Sequence, residues 1–174
     1  THDGAHDGVH AGAGDDGDWL ADGIRSLFSR LECGNGRSGS RFRTHDEDAV
    51  ASGVAGLLGR GSGLTPSGDD ALAGALLVAH ALGAAAPLAA AVRARLAATT
   101  AVSAALLDAA ADGFAARDVV TLVDAALAGD DDAVAVVLPH VLAIGHSSGR
   151  DLVTGVAAAL QATTELTPEG RSVA

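Results

Sequence analysis

The chain is 174 residues long and 48% hydrophobic, but only 2% of it is aromatic and it contains neither Tyr nor Met. Acidic residues outnumber basic ones 22 to 11, all the basic ones are Arg, and the formal net charge of −11 excludes nucleic acid and anionic membrane surfaces as partners while leaving small anions open. A single Cys excludes an internal disulfide or a cysteine metal cluster. No basic-then-apolar leader and no apolar run of about 20 residues is present, which predicts a cytoplasmic protein that does not span a membrane. The chain begins at Thr1 rather than Met and reads as a fragment.

Residues 1–17 (THDGAHDGVHAGAGDDG) are too Gly-rich to offset their ordering entropy by burial and are expected to be disordered. His2, His6 and His10 recur every fourth residue, but such a sequence does not hold the helix that would align them on a metal. Residues 18–45 are expected to form a helix over 18–32, marked by Trp19, Leu20, Ile24, Leu27, Phe28 and Leu31, and then a Gly/Ser/Arg linker. Residues 46–162 read as one helical domain. A helix over 46–58 ends at Gly59, and one over 69–82 carries Leu72, Leu76, Leu77 and Val78 among alanines. Pro87 opens the next helix, where its missing N–H is not needed. A helix over 99–112 closes at Gly113, and Asp118 caps a helix over 119–128 with Gly129 just beyond. Asp130 to Asp132 start a helix that Pro139 should kink or divide, although 134–144 (VAVVLPHVLAI) also suits a buried strand. The last helix covers 148–162, and 163–174 is a frayed polar tail. The expected fold is thus an all-α, compact bundle of about seven helices. His80 and His140, on apolar helices, read as satisfied core histidines, and Thr99, Thr100 and Ser103 as the capped start of a helix.

Two segments share the pattern S-G-x-D-x-φ-x-G, with φ apolar: Ser67-Gly68-Asp69-Asp70-Ala71-Leu72-Ala73-Gly74 and Ser148-Gly149-Arg150-Asp151-Leu152-Val153-Thr154-Gly155. Each can be a capping box, with Ser at the N-cap and Asp reaching back, and with the second Gly allowing close helix contact. Capping leaves the loop Gly59-Arg60-Gly61-Ser62-Gly63-Leu64-Thr65-Pro66 unexplained. Its alternating glycines let backbone N–H groups approach a ligand at a helix N-terminus. Asp69 and Asp70 would repel an anion there unless Mg²⁺ bridges them to it, or unless one of them contacts a substrate amide. The second segment, with His146 and Arg150, is expected to face the first. Gly145-His146-Ser147-Ser148-Gly149 matches a nucleophile elbow, but no His follows His146, which excludes that triad order. The glycines at 59, 61 and 63 form neither a Walker loop, since there is no Lys, nor a Rossmann fingerprint, since no strand precedes them. A likeness of the Asp69-Asp70 segment to the catalytic helix start of sugar kinases fails for want of a preceding α/β sheet.

The string Gly61-Ser62-Gly63-Leu64-Thr65-Pro66-Ser67-Gly68-Asp69-Asp70, followed by Thr99-Thr100 with Ser103 and then by Gly145-His146-Ser147-Ser148-Gly149 with Asp151, resembles a bacterial domain-of-unknown-function family. That family includes the third subunit of oxamate carbamoyltransferase, from anaerobic allantoin catabolism, and the likeness covers about residues 46–162. It implies participation in carbamoyl transfer, with oxamate and carbamoyl phosphate exchanging with oxalurate and phosphate, and other subunits or further copies of the chain as partners. On this resemblance a β-rich portion normally precedes the helical part. The expected site binds a small anionic metabolite, carbamoyl phosphate or a carboxylate substrate. Backbone N–H groups of Gly61, Gly63 and Gly68 cradle the anion, and Thr65, Ser67, Thr100, Ser147 and Ser148 surround it. Asp69 and Asp70 hold a substrate amide or a metal, Asp151 is a further ligand-binding residue, and Asp70 and His146 are the catalytic pair. The competing expectation is a non-catalytic helical module that buries its Ala/Leu faces against a partner subunit.

Overall fold

The computed structural model describes residues 18–32 and 44–165. The leader 1–17 with its three histidines, most of the linker including Cys33, and the tail beyond Glu165 lie outside them. Eight α-helices occur among the described residues: α1 (Asp18–Glu32), α2 (Thr44–Leu57), α3 (Ser67–Ala81), α4 (Ala86–Arg93), α5 (Ala101–Ala111), α6 (Arg117–Ala128), α7 (Asp131–Leu142) and α8 (Ser148–Glu165), with a 3₁₀ turn at Leu96–Ala98. No strand forms among them, so the all-α expectation holds with one helix more than anticipated. None of these helices is long and apolar enough to cross a membrane.

The bundle is organised around α3, which is buried continuously from Gly68 to Ala79 and packs against α1, α2, α4, α5, α6 and α8. A helix buried on all sides needs apolar residues around its whole circumference, and alanines let six neighbours come close. Leu72, Leu76 and Val78 are fully enclosed. The spacing of Leu20, Ile24, Leu27 and Phe28 puts them on one face of α1, and all four are buried, with α1 lying on α8 and α2. The most extensive helix contact is between α3 and α8, and glycine makes it close. A Cβ on Gly155 would lie 2.0 Å from the Ala71 carbonyl oxygen, and one on Gly74 would lie 2.3 Å from that of Leu152. The second glycine of each duplicated segment therefore serves close contact, as one of the two sequence readings required.

Several local expectations are overturned. Neither Ser67 nor Asp118 caps its helix: Pro66 and Ala116 hold the N-cap positions of α3 and α6 without a side-chain bond, each in an extended conformation that ends the preceding turn. The first-turn amides of α3 bond elsewhere, since Asp69 and Asp70 donate to the Pro66 carbonyl. The capping box is therefore absent at α3. α7 runs unbroken through Pro139, and 134–142 is helical rather than a strand. In the last turns, Ala143 N–H still reaches the Pro139 carbonyl, so the ladder resumes beyond the proline. α5 starts at Ala101 because Thr99 is extended and Thr100 accepts the cap bond from Ser103 N–H at 3.1 Å. His80 and His140 are not core residues. His80 falls in the exposed last turn of α3, and His140 is 65% exposed, 3.7 Å from Asp118. Gly129 takes the expected left-handed conformation past α6, with φ of 68°.

Candidate functional site

The two duplicated segments come together. Close packing of α3 on α8 sets their N-terminal turns side by side, and the Thr65 and Ser148 hydroxyls meet at 2.8 Å. Behind this bridge the neighbouring aspartates have different surroundings. Asp69 is held by the protein: its Oδ1 accepts from Gly59 N–H at 2.7 Å and its Oδ2 from the Thr99 hydroxyl. Asp70 is 7% exposed, yet its Oδ2 has no partner among the described residues. Burial pushes its pKa up to about 6, against the opposing pull of the Ser148 and Thr65 hydroxyls, with the carboxylates of Asp151 and Asp69 adding to the rise. The two hydroxyls share two protons, and their mutual bond uses one, so only one proton can be donated to Asp70. Asp151 Oδ2 is likewise buried and unpartnered.

Asp70 opens onto a cavity of about 210 Å³. The polar residues of its lining are Thr65, Asp69, Asp70, Ser103 and Ser148. Ser103 is 1% exposed and its Oγ has no partner. The walls are apolar, with Leu77, Leu107, Val119 and Leu152 prominent, and Leu106, Phe114 and Ile144 rim the mouth. Phe114 is 70% exposed and Leu106 50%, so much of the rim faces solvent. No Arg or His lines the cavity among the described residues.

The predicted residues divide accordingly. Thr65, Asp69, Asp70 and Ser148 line one site, and Asp151 lies close enough to influence Asp70. Gly61 and Gly63 are exposed in the loop, at φ of 120° and 97°, and do not line the cavity. Gly68 N–H donates to the Arg60 carbonyl at 2.9 Å, so this one amide of the expected cradle is committed to the loop. Thr100 ties the same loop to α5, its hydroxyl donating to the Leu64 carbonyl at 2.5 Å while accepting the cap bond. Ser67, Ser147, Thr100, Arg150 and His146 are outside the lining, and Ser147, Arg150 and His146 are exposed. Among the described residues no group of three or more His, Cys, Asp or Glu side chains is placed to hold a metal ion. The loop is braced from outside, where the Arg60 guanidinium stacks 4.0 Å above the Trp19 ring.

Sequence reasoning read Ser103 as capping machinery and missed the apolar chamber entirely. No spacing in the sequence marks it; in the structure its lining includes Leu106 and Phe114, large apolar residues left exposed.

The model of one protein family, described as oxamate carbamoyltransferase subunit AllH, matches residues 57–160, a stretch that contains the whole cavity lining. No solved structure matches the chain.

Proposed function

The chain belongs to the family of oxamate carbamoyltransferase subunit AllH, and from that premise we propose that it acts as one subunit of a carbamoyl-transferring enzyme and binds the amide substrate in the cavity below Thr65 and Ser148. The observation that carries this reading is the unpartnered oxygen of Asp70, in a carboxylate only 7% exposed. An ionised carboxylate only accepts hydrogen bonds, so it asks for an N–H donor. The amide of oxamate supplies one.

In the transfer, the amide nitrogen bonds to the carbamoyl carbon, the bond from that carbon to the phosphate oxygen breaks, and phosphate leaves with the electron pair. The nitrogen must lose a proton. Asp70, with its pKa raised to about 6, is suited to take it near neutral pH. Thr65 and Ser148 steady the carboxylate, so that the contribution is one of positioning and proton transfer rather than nucleophilic attack. His146, exposed and outside the lining, has no part in this scheme, and neither does a metal held by Asp69 and Asp70.

A cavity without a cationic side chain is a poor holder for the carbamoyl phosphate dianion. On this reading a second subunit supplies that half of the site, docking over the apolar mouth formed by Leu106, Phe114 and Ile144. Calorimetric titration of the chain with oxamate tests the reading. Binding should be weakened at least about tenfold by Asp70→Asn, equivalent to about 1.4 kcal/mol. Equal binding by the variant, or none by the parent chain with or without its partner subunits, refutes the assignment.

A further inference from the structure

The cavity is more apolar than oxamate requires. Leu77, Leu107 and Val119 are each at most 4% exposed, and together with Leu152 they form a wall that a small, doubly polar molecule would leave uncovered. Placing a carboxylate against that wall would strip its water without replacing the lost hydrogen bonds.

Asp70 and Ser103, in the same lining, carry two buried atoms with definite needs. Asp70 Oδ2 accepts only, whereas Ser103 Oγ can donate and accept, and neither has a partner among the described residues. The residues are 7% and 1% exposed, so water does not freely satisfy them from outside. A primary amide offers an N–H and a carbonyl on the same carbon and answers both atoms at once. An ammonium group gives Asp70 a donor but leaves the Ser103 hydroxyl proton without an acceptor, and a second carboxylate adds a like charge beside Asp70, Asp69 and Asp151.

We propose that the cavity binds a primary amide bearing an apolar group, with its N–H on Asp70 Oδ2, its carbonyl accepting from Ser103 Oγ, and its apolar group against Leu77, Leu107, Val119 and Phe114. The inference rests on Asp70 being an amide acceptor, as in the proposed function, but not on oxamate being the molecule that brings the amide.

Titration calorimetry on the full chain separates the two. Benzamide should bind at least about tenfold tighter than acetamide, which has the head group without the body, and at least about tenfold tighter than toluene or benzoate, which lack the amide. Phe114→Ala should weaken benzamide roughly three- to tenfold and leave acetamide unchanged; Phe114 is 70% exposed, so the fold does not depend on it. Ser103→Ala should weaken both amides by a similar factor, its unchanged melting temperature serving as the control for folding. Acetamide or toluene binding as tightly as benzamide overturns the inference, as does benzamide binding that neither variant alters, or no benzamide binding at all. Benzamide binding without oxamate binding sustains the inference and removes oxamate as substrate. Oxamate binding with no advantage for benzamide does the reverse.

Discussion

Asp70→Asn should stabilise the folded chain, and should do so only where the parent carboxylate is ionised. The pKa of Asp70 is raised from its ordinary 3.8 to about 6, chiefly by burial. For a carboxylate whose pKa is raised on folding, the neutral form favours the folded state. Its contribution is fully present below about 3.8 and is lost as pH rises through about 6. A difference of about two pH units at 1.36 kcal/mol per unit makes the ionised group cost about 3 kcal/mol at pH 8. Asparagine removes the charge and can keep its oxygen where the carboxylate accepts a hydroxyl proton, but its NH₂ group is then buried without an acceptor, which offsets part of the gain. The other 21 acidic residues titrate in both proteins, so the informative quantity is the stability of the variant minus that of the parent, measured by urea unfolding from pH 4 to pH 8. That difference should climb by about 2–3 kcal/mol across the interval and flatten above about pH 7. A constant difference over the whole range refutes the buried-charge account. A variant that is destabilised equally at every pH would assign Asp70 a structural role in starting α3.

Two other perturbations test the geometry around it. Gly155→Ala puts a Cβ 2.0 Å from the Ala71 carbonyl; because both partners are helix backbone, α3 and α8 must separate, and denaturant unfolding should register a loss of about 3 kcal/mol or more. Ser148→Ala removes one of the hydroxyls that lower the Asp70 pKa, so carboxyl NMR titration should find Asp70 titrating above about 6, and a value unchanged or lower would show that this hydroxyl does not serve the carboxylate.

The parts of the fold that were legible in the sequence are those fixed by local periodicity or by a single backbone requirement. The stripe Leu20, Ile24, Leu27 and Phe28 admits one buried face, and Gly129 stands where a helix must reverse hand. The errors arise where tertiary context decides. His80 and His140 sit among apolar neighbours in sequence, but α3 leaves the core in its last turn and α7 presents His140 to solvent. The alternating glycines near 59–63 suggest an anion cradle because their conformations permit one. A permissive conformation does not decide where an amide is used, and the Gly68 N–H is engaged by the Arg60 carbonyl. The cavity was illegible for a different reason. Its walls come from α3, α5, α6 and α8 and from the turns before α6 and α8, and no spacing rule links Leu77 to Phe114 or Leu152.

The duplicated segments show why the site lies where it does. In both, the first glycine lets another backbone in: a Cβ on Gly68 would fall 2.0 Å from the Leu57 carbonyl, and one on Gly149 equally close to that of Val141. The second glycines bring α3 and α8 into contact. Small residues alone would suffice for that packing, and an apolar residue at position 70 would bury there without electrostatic cost. What packing does not require is a carboxylate at the same place in each copy, Asp70 and Asp151, each leaving one buried oxygen unpartnered beside the other's charge. A bundle shaped for stability alone gains nothing from two such groups, whose mutual repulsion and desolvation both work against folding. Asp70 lines the cavity and Asp151 stands close enough to act on its charge, each in the first turn of its helix, as a site that keeps unsatisfied acceptors ready for a donor requires.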